Sequence, residues 1–191
     1  MIDMNKEINV LPLITKIQKG DRQALESLCR SWYPRVYRYA LRFTGDEEMA
    51  KEASQLTFIS VTKGINNLRD PSSYTPWLFR IVANHCRNLH KSKRYHEPEE
   101  VLHLTMQTNN NPHRQMERNE RIAQVKKALM KIPAEQREVI IMKEYEGLKF
   151  REIAAILETS ENTVKSRMYY GLNALKKTLT VNKDKIYNEA S

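Results

Sequence analysis

Apolar residues in this chain recur at spacings of three and four, and that rhythm excludes most folds before any motif is considered. Leu25, Leu28, Trp32, Val36 and Tyr39 form one such stripe, and Ile122, Val125, Leu129 and Ile132 another. A helix turns once every ~3.6 residues, so each stripe lands on one face, whereas a half-buried strand would alternate with period two. Few segments alternate in that way. Glycine and proline number only 5 and 7, too few for a chain rich in tight turns. The spacing therefore predicts an all-α protein. A chain of 191 residues has room for two small helical cores.

The rhythm breaks once. From Tyr95 the chain runs through Glu97-Pro98-Glu99-Glu100 and then Thr108-Asn109-Asn110-Asn111-Pro112, polar and proline-punctuated. Such a stretch buries little apolar surface. Residues 95–116 therefore read as a flexible acidic linker that could span tens of ångströms if extended. The domains it joins read as residues 8–94 and 117–180, with a polar tail at 181–191. Charge follows the same division. Residues 1–94 carry a net +7, residues 95–120 a net −3 and residues 121–191 a net +5. Two basic blocks around an acidic spacer predict polyanionic partners, nucleic acid first and an anionic membrane surface second.

Cys29 and Cys86 are the only cysteines, which is no disulfide framework and suits a reducing cytoplasm. No apolar run approaches the ~18 residues that cross a bilayer, and the first ten residues lack the apolar core of a signal peptide. A soluble, cytoplasmic protein is expected.

The sharpest motif is Phe150–Arg167. Ile153, Ala154 and Leu157 give a first helix one apolar face, with a small residue where a second helix must come close. Glu158-Thr159-Ser160 forms the turn, and Ser160 is suited to cap the second helix. Val164 packs back on the first helix. Ser160, Glu161, Asn162, Thr163, Lys165, Ser166 and Arg167 are left at the outward start of the second, as base-edge reading in a major groove requires. Lys176 and Lys177 lie where they could meet phosphates. A plain helical hairpin with a solvated face is the bland alternative. The first turn position commonly needs positive φ and is often glycine, but here it is Glu158, at a cost of about 1 kcal/mol that packing can offset. Upstream, Pro133 separates a helix ending at Ile132 from one opening at Ala134, which completes a four-helix domain.

In the N-terminal block, residues 80–94 hold five basic residues and no acid. Ile81, Val82 and Leu89 can face a core while Arg80, Asn84, Arg87, Asn88 and Lys91 project outward. A basic helix beside the aromatics Tyr74, Trp77 and Phe79 suits single-stranded DNA, where rings stack on bases and cations follow the backbone. Trp77 and Phe79 themselves read better as core. Asp46–Phe58 reads as an acidic-started helix offering a polar face to a protein.

Four stretches together resemble the extracytoplasmic-function sigma factors of bacterial RNA polymerase: AKEASQLTF (50–58), SSYTPWLFRIVAN (72–84), IPAEQREVIIMKEYEGLKFREIAAIL (132–157) and ENTVKSRMYYGLNALKK (161–177). The resemblance covers roughly 10–94 and 117–178. It implies two small helical domains, a region 2 bundle and a region 4 helix-turn-helix. It implies that Glu48, Glu52, Gln55 and Phe58 dock on the polymerase clamp helices. It implies that Asn67, Ser72, Ser73 and Tyr74, with Arg80, Asn84, Arg87, Asn88 and Lys91, melt and read the minus-ten element. The 160–167 segment would read the minus-thirty-five element, and its domain would touch the polymerase flap. An anti-sigma factor, commonly membrane-anchored, would hold such a factor in check. The sequence departs from the family at Leu56, where an acid is usual, at Thr62, where an aromatic is common, and at Lys149, where Ser or Thr would cap a helix.

Other readings fare worse. Cys86 and His90 lie four apart, with His85 and His96 near, but no closed motif supplies further ligands, so no metal and no cofactor are expected. There is no glycine-rich phosphate loop or nucleophile elbow, so the chain reads as no enzyme. A stand-alone DNA-binding regulator would share the 150–167 motif, yet it would lack the segments at 46–58 and 72–94. Membrane-surface binding would need a wider apolar face on the basic helix.

Overall fold

Short carboxylates open two helices of the N-terminal half. Asp21 accepts a hydrogen bond from the Ala24 amide (3.0 Å) and Asp46 from the Met49 amide (2.9 Å), each satisfying a donor that a helix start leaves unpaired. Between these helices Gly45 sits at φ 72°, the left-handed conformation that ends a helix most cheaply without a Cβ. The computed structural model describes residues 10–94 and 112–189, with side chains over 10–92 and 121–180.

The N-terminal helices are α1 (Val10–Gln18), α2 (Arg22–Thr44), α3 (Glu47–Gly64) and α4 (Tyr74–Arg94), with 3-10 turns at Ile65–Asn67 and Pro71–Ser73 before α4. The second set is α5 (Pro112–Met130), α6 (Ala134–Ile140), α7 (Phe150–Ile156) and α8 (Glu161–Glu189). No strand occurs among the described residues. The protein is all-α, as the apolar spacing predicts.

Each stripe seen in the sequence becomes a packed face, except that Ile122, at the start of the second, is left 44% exposed. Leu28, Trp32, Val36, Tyr39 and Phe43 of α2 meet Ala50, Ala53 and Val61 of α3 and Leu78, Phe79, Val82 and Cys86 of α4. Edge-to-face ring pairs lock this bundle, Tyr39 with Phe79 at 5.4 Å and Trp32 with Tyr74 at 5.3 Å between centroids. In the second bundle Leu129, Ile132, Val139, Ile140, Ile153, Ile156, Val164 and Met168 form the core. Gly171 lets α8 approach α6, since a Cβ there would stand 2.9 Å from Ile140 Cδ1.

Three features differ from the sequence expectation. Helix α5 begins at Pro112, inside the range read as linker, because proline suits a first helical position whose amide has no partner; residues 95–111 lie outside the described residues. Helix α8 runs on to Glu189 through much of the range read as a polar tail. Between Val181 and Glu189 there is no glycine or proline to halt a helix already nucleated. Finally, α6 continues into a π turn at Ile141–Tyr145, a local widening that no periodicity announces.

The two bundles pack together. Helix α2 contacts α5, α6 and the π turn, and α4 contacts α7.

Candidate nucleic-acid interface

The helix-turn-helix is built as its residues require. Ala154 and Ile153 are buried on α7, Val164 is fully buried on α8, and the chain turns through Glu158 at φ 53°. The Thr159 amide donates to the Ala154 carbonyl (3.0 Å), closing the turn. Ser160 Oγ accepts from the Thr163 amide (3.0 Å), so Ser160 caps α8. At the start of α7, where Lys149 has no capping oxygen, the Glu152 carboxylate reaches back to the Lys149 amide (2.6 Å).

Glu161, Asn162, Lys165 and Ser166 are exposed at the N-terminal end of α8, the end a recognition helix presents. Glu161 and Lys165 pair across one turn at 2.9 Å, an exposed contact of little energy that DNA could displace. Thr163 is half-buried, with its hydroxyl 2.8 Å from Ser160 Oγ. Arg167 is half-buried and donates to Glu135 of α6 (2.9 Å), so it begins partnered rather than free. Further along, Tyr169 and Tyr170 are exposed at 66% and 62%, aromatics that the sequence reading did not single out.

On α4, Asn84, Asn88 and Lys91 are exposed, as are Asn67, Ser72 and Ser73 before it. Asp70 organises that approach, accepting from the Ser72 amide (2.9 Å) and from both serine hydroxyls. These hydrogen bonds, led by the Ser72 hydroxyl, lower the Asp70 pKa and keep it ionised. Phe79 is core, as expected, and Trp77 is half-buried against Gly64.

Tyr74 corrects the sequence reading. Expected at the DNA face, it is 0% exposed and packed on Trp32, and its hydroxyl finds no hydrogen-bond partner among the described residues. A ring so placed cannot stack on a base. The outward reading of Arg80 and Arg87 also needs revision. Arg80 is exposed but donates to the Ala155 carbonyl of α7 and lies 3.8 Å from Glu158. Arg87 is half-buried, 3.6 Å from Glu138.

Helix α3 presents Glu48, Glu52 and Gln55 to solvent on one face. Phe58 is half-buried and stacks on Tyr33 at 6.0 Å. Beside them lies a shallow groove lined by Glu26, Cys29, Arg30, Tyr33, Pro34, Gln55 and Phe58. Pro34 has no amide hydrogen, so the Arg30 carbonyl lacks its helical donor at this groove. The contribution of α2 to this surface was missed. An exposed Tyr33-Pro34 pair interrupting the α2 pattern was the available signal. Cys86 and His90 do not gather a metal cluster: no group of three or more potential ligands occurs among the described residues, Cys86 is buried, and the His90 ring packs against Phe43.

Comparison with known proteins bears directly on these surfaces. The sigma-70 region 2 profile matches residues 28–95 and the sigma-70 region 4 profile matches residues 122–175. The chain belongs to the sigma-70 family. Among relatives, the RNA polymerase sigma-H factor of Pseudomonas aeruginosa is 25% identical over 87% of this chain and 92% of its own length. The ECF RNA polymerase sigma factor SigE of Mycolicibacterium smegmatis is 30% identical over 82% of this chain and 63% of its own length. The fold is shared with the sigma factor RpoE of Bartonella quintana, solved with the anti-sigma factor NepR. Its TM-score is 0.67 at 22% identity, over 82% of this chain and 96% of that one. This sigma factor is thus of the extracytoplasmic-function type. As a sigma factor it binds core RNA polymerase and promoter DNA and directs initiation, and it is not itself an enzyme.

Proposed function

We propose that this sigma factor divides its work among three surfaces. The α3 face bearing Glu48, Glu52, Gln55 and Phe58, extended by the Tyr33-Pro34 groove, docks on the polymerase clamp helices. Residues Asn67, Ser72 and Ser73, with Arg80, Asn84, Arg87, Asn88 and Lys91 of α4, open and hold the minus-ten element. The start of α8, Glu161 to Arg167 behind the Ser160 cap, reads the minus-thirty-five element, and its domain meets the polymerase flap. Residues 8–94 and 117–180 act as the two DNA-binding units, joined by 95–116.

One observation carries the reading: a capped helix presents Asn162, Lys165 and Ser166 unburied at its N-terminal end, on the same chain as an exposed polar stripe on basic α4. Melting costs about 1.4 kcal/mol of stacking per base step, which the α4 contacts can offset only locally. An anti-sigma factor, as in the complex of the Bartonella relative, holds the protein inactive in the cytoplasm. Among the described residues no helix is long and apolar enough to cross a membrane.

The test is run-off transcription with sigma-free core polymerase. Purified protein should yield a transcript from a defined start on a cognate promoter. Absence of any association with core polymerase, with no inhibitor bound, would refute the proposal.

A further inference from the structure

Asp70 lies in the loop between α3 and α4, an exposed acid on a surface proposed to meet DNA, where its charge repels phosphate. Its hydrogen bonds give it another task. The Ser72 amide donates to Oδ1 (2.9 Å), the Ser72 hydroxyl lies 2.7 Å from both Oδ1 and Oδ2, and the Ser73 hydroxyl lies 2.9 Å from Oδ2. A carboxylate offers about four lone-pair sites, and these four contacts fill them. Asp70 is therefore saturated by its own loop.

The consequence falls on the serines. An ionised carboxylate can only accept, so each hydroxyl turns its single proton inward. Hydrogen bonds to a charged acceptor are about twice as strong as neutral ones, which holds the protons there. Ser72 and Ser73, both exposed, turn only lone pairs outward. The loop that carries them is fixed from below. Leu68 is buried and its carbonyl accepts from Gln18 Nε2 of α1 (2.9 Å), Pro71 sets the backbone ahead of the serines, and Tyr74 is packed on Trp32. Two neighbouring acceptors on a rigid mount match an amino group, which has two hydrogens to donate. Adenine, cytosine and guanine each carry an exocyclic amine. Thymine instead sets a carbonyl on each side of its one N–H, and those oxygens would face the serine lone pairs.

We propose that Asp70 is a positioning residue that makes Ser72 and Ser73 acceptors only, so that the loop selects a base bearing an exocyclic amino group over thymine in the opened minus-ten element. The inference rests on the minus-ten reading of these serines above. Asp70 itself touches no base.

The test measures affinity of the holoenzyme, assembled from the full chain and core polymerase, for a labelled single-stranded minus-ten oligonucleotide, so that duplex melting does not enter. Each position is altered in turn, with purine for adenine, pyrimidin-2-one for cytosine and hypoxanthine for guanine, which delete the amine alone. At one position the amine-free base should bind roughly tenfold more weakly, and thymine there no better. Asp70→Asn supplies amide hydrogens to the serine oxygens and frees a hydroxyl proton to point outward. It should shrink that preference several-fold and restore affinity for thymine, with association to core polymerase unchanged. Ser72→Ala combined with Ser73→Ala should lose the preference without favouring thymine. Asp70→Asn that weakens every oligonucleotide equally, with the preference intact, would make Asp70 a structural cap and overturn the inference. So would a position sensitive to the base but not to its amine, or one that prefers thymine. If no replacement changes wild-type affinity, or the double serine variant behaves as wild type, the minus-ten reading of these serines fails instead.

Discussion

Glu138 shows how far one residue's chemistry depends on what is brought against it. Burial raises its pKa to about 7, opposed by the charge of Arg87 and the hydrogen bond from Tyr39. Arg87 and Cys86 of α4, Tyr39 of α2, Glu135 and Arg137 of α6 and Arg167 of α8 surround it. Burial pushes Tyr39 and Cys86 far up, so both stay neutral near pH 7, and Arg137, lowered to about 10 chiefly by burial, stays charged. Glu138 is therefore the group in this set that titrates near neutrality. Its pKa is raised where the two bundles pack, so packing binds a proton that a hydrated Glu138 releases down to about pH 4.3. That contribution to packing is complete below the hydrated value and is lost as pH rises through 7. Scattering from pH 8 to pH 6 should show progressive compaction, and Glu138→Gln should abolish the response. Expansion on acidification would contradict this assignment.

At the scale of elements, the helix-turn-helix depends on its boundaries. Glu158 holds a left-handed φ that glycine would take more easily, and Thr159 and Ser160 complete the turn and the cap. Ser160→Ala removes the oxygen that accepts from the Thr163 amide and should cost about 1 kcal/mol, whereas Ser160→Gly should cost only a few tenths. Urea denaturation of the three proteins measures the difference. No loss of stability in either variant would mean that the cap contributes nothing. The turn was legible in the sequence because caps, turn residues and helical spacing act within a few residues. The π turn after α6 was not, because it answers to the packing of Ile141 and Met142 in the core rather than to a local signal.

Across the whole molecule, the α3 face, basic α4 and the α8 reading end are modest surfaces on two bundles. Each gains from the other only when both are held on one body, through effective concentration. The isolated chain should bind a promoter duplex weakly and with little preference for sequence. Its affinity should fall linearly with the logarithm of salt concentration, because phosphate contacts dominate such binding. Fluorescence anisotropy with cognate and scrambled duplexes at two salt concentrations tests this. Tight, selective binding by the free chain would rule it out.

Local chemistry sufficed to determine the helices, the polar interruption after Tyr95, the helix-turn-helix at Phe150–Arg167 and the solvent-facing acids of α3, since periodicity, capping and charge runs act between near neighbours. The tertiary structure alone decided that Tyr74 faces Trp32 rather than DNA, and that Arg35, Arg87, Glu138 and Glu146 meet across the two bundles. Read along the chain, Glu138 and Glu146 are ordinary surface acids beside basic neighbours. They become buried partners only when α6 and the π turn are pressed onto α2 and α4, an apposition of residues up to 111 positions apart that no short-range pattern encodes.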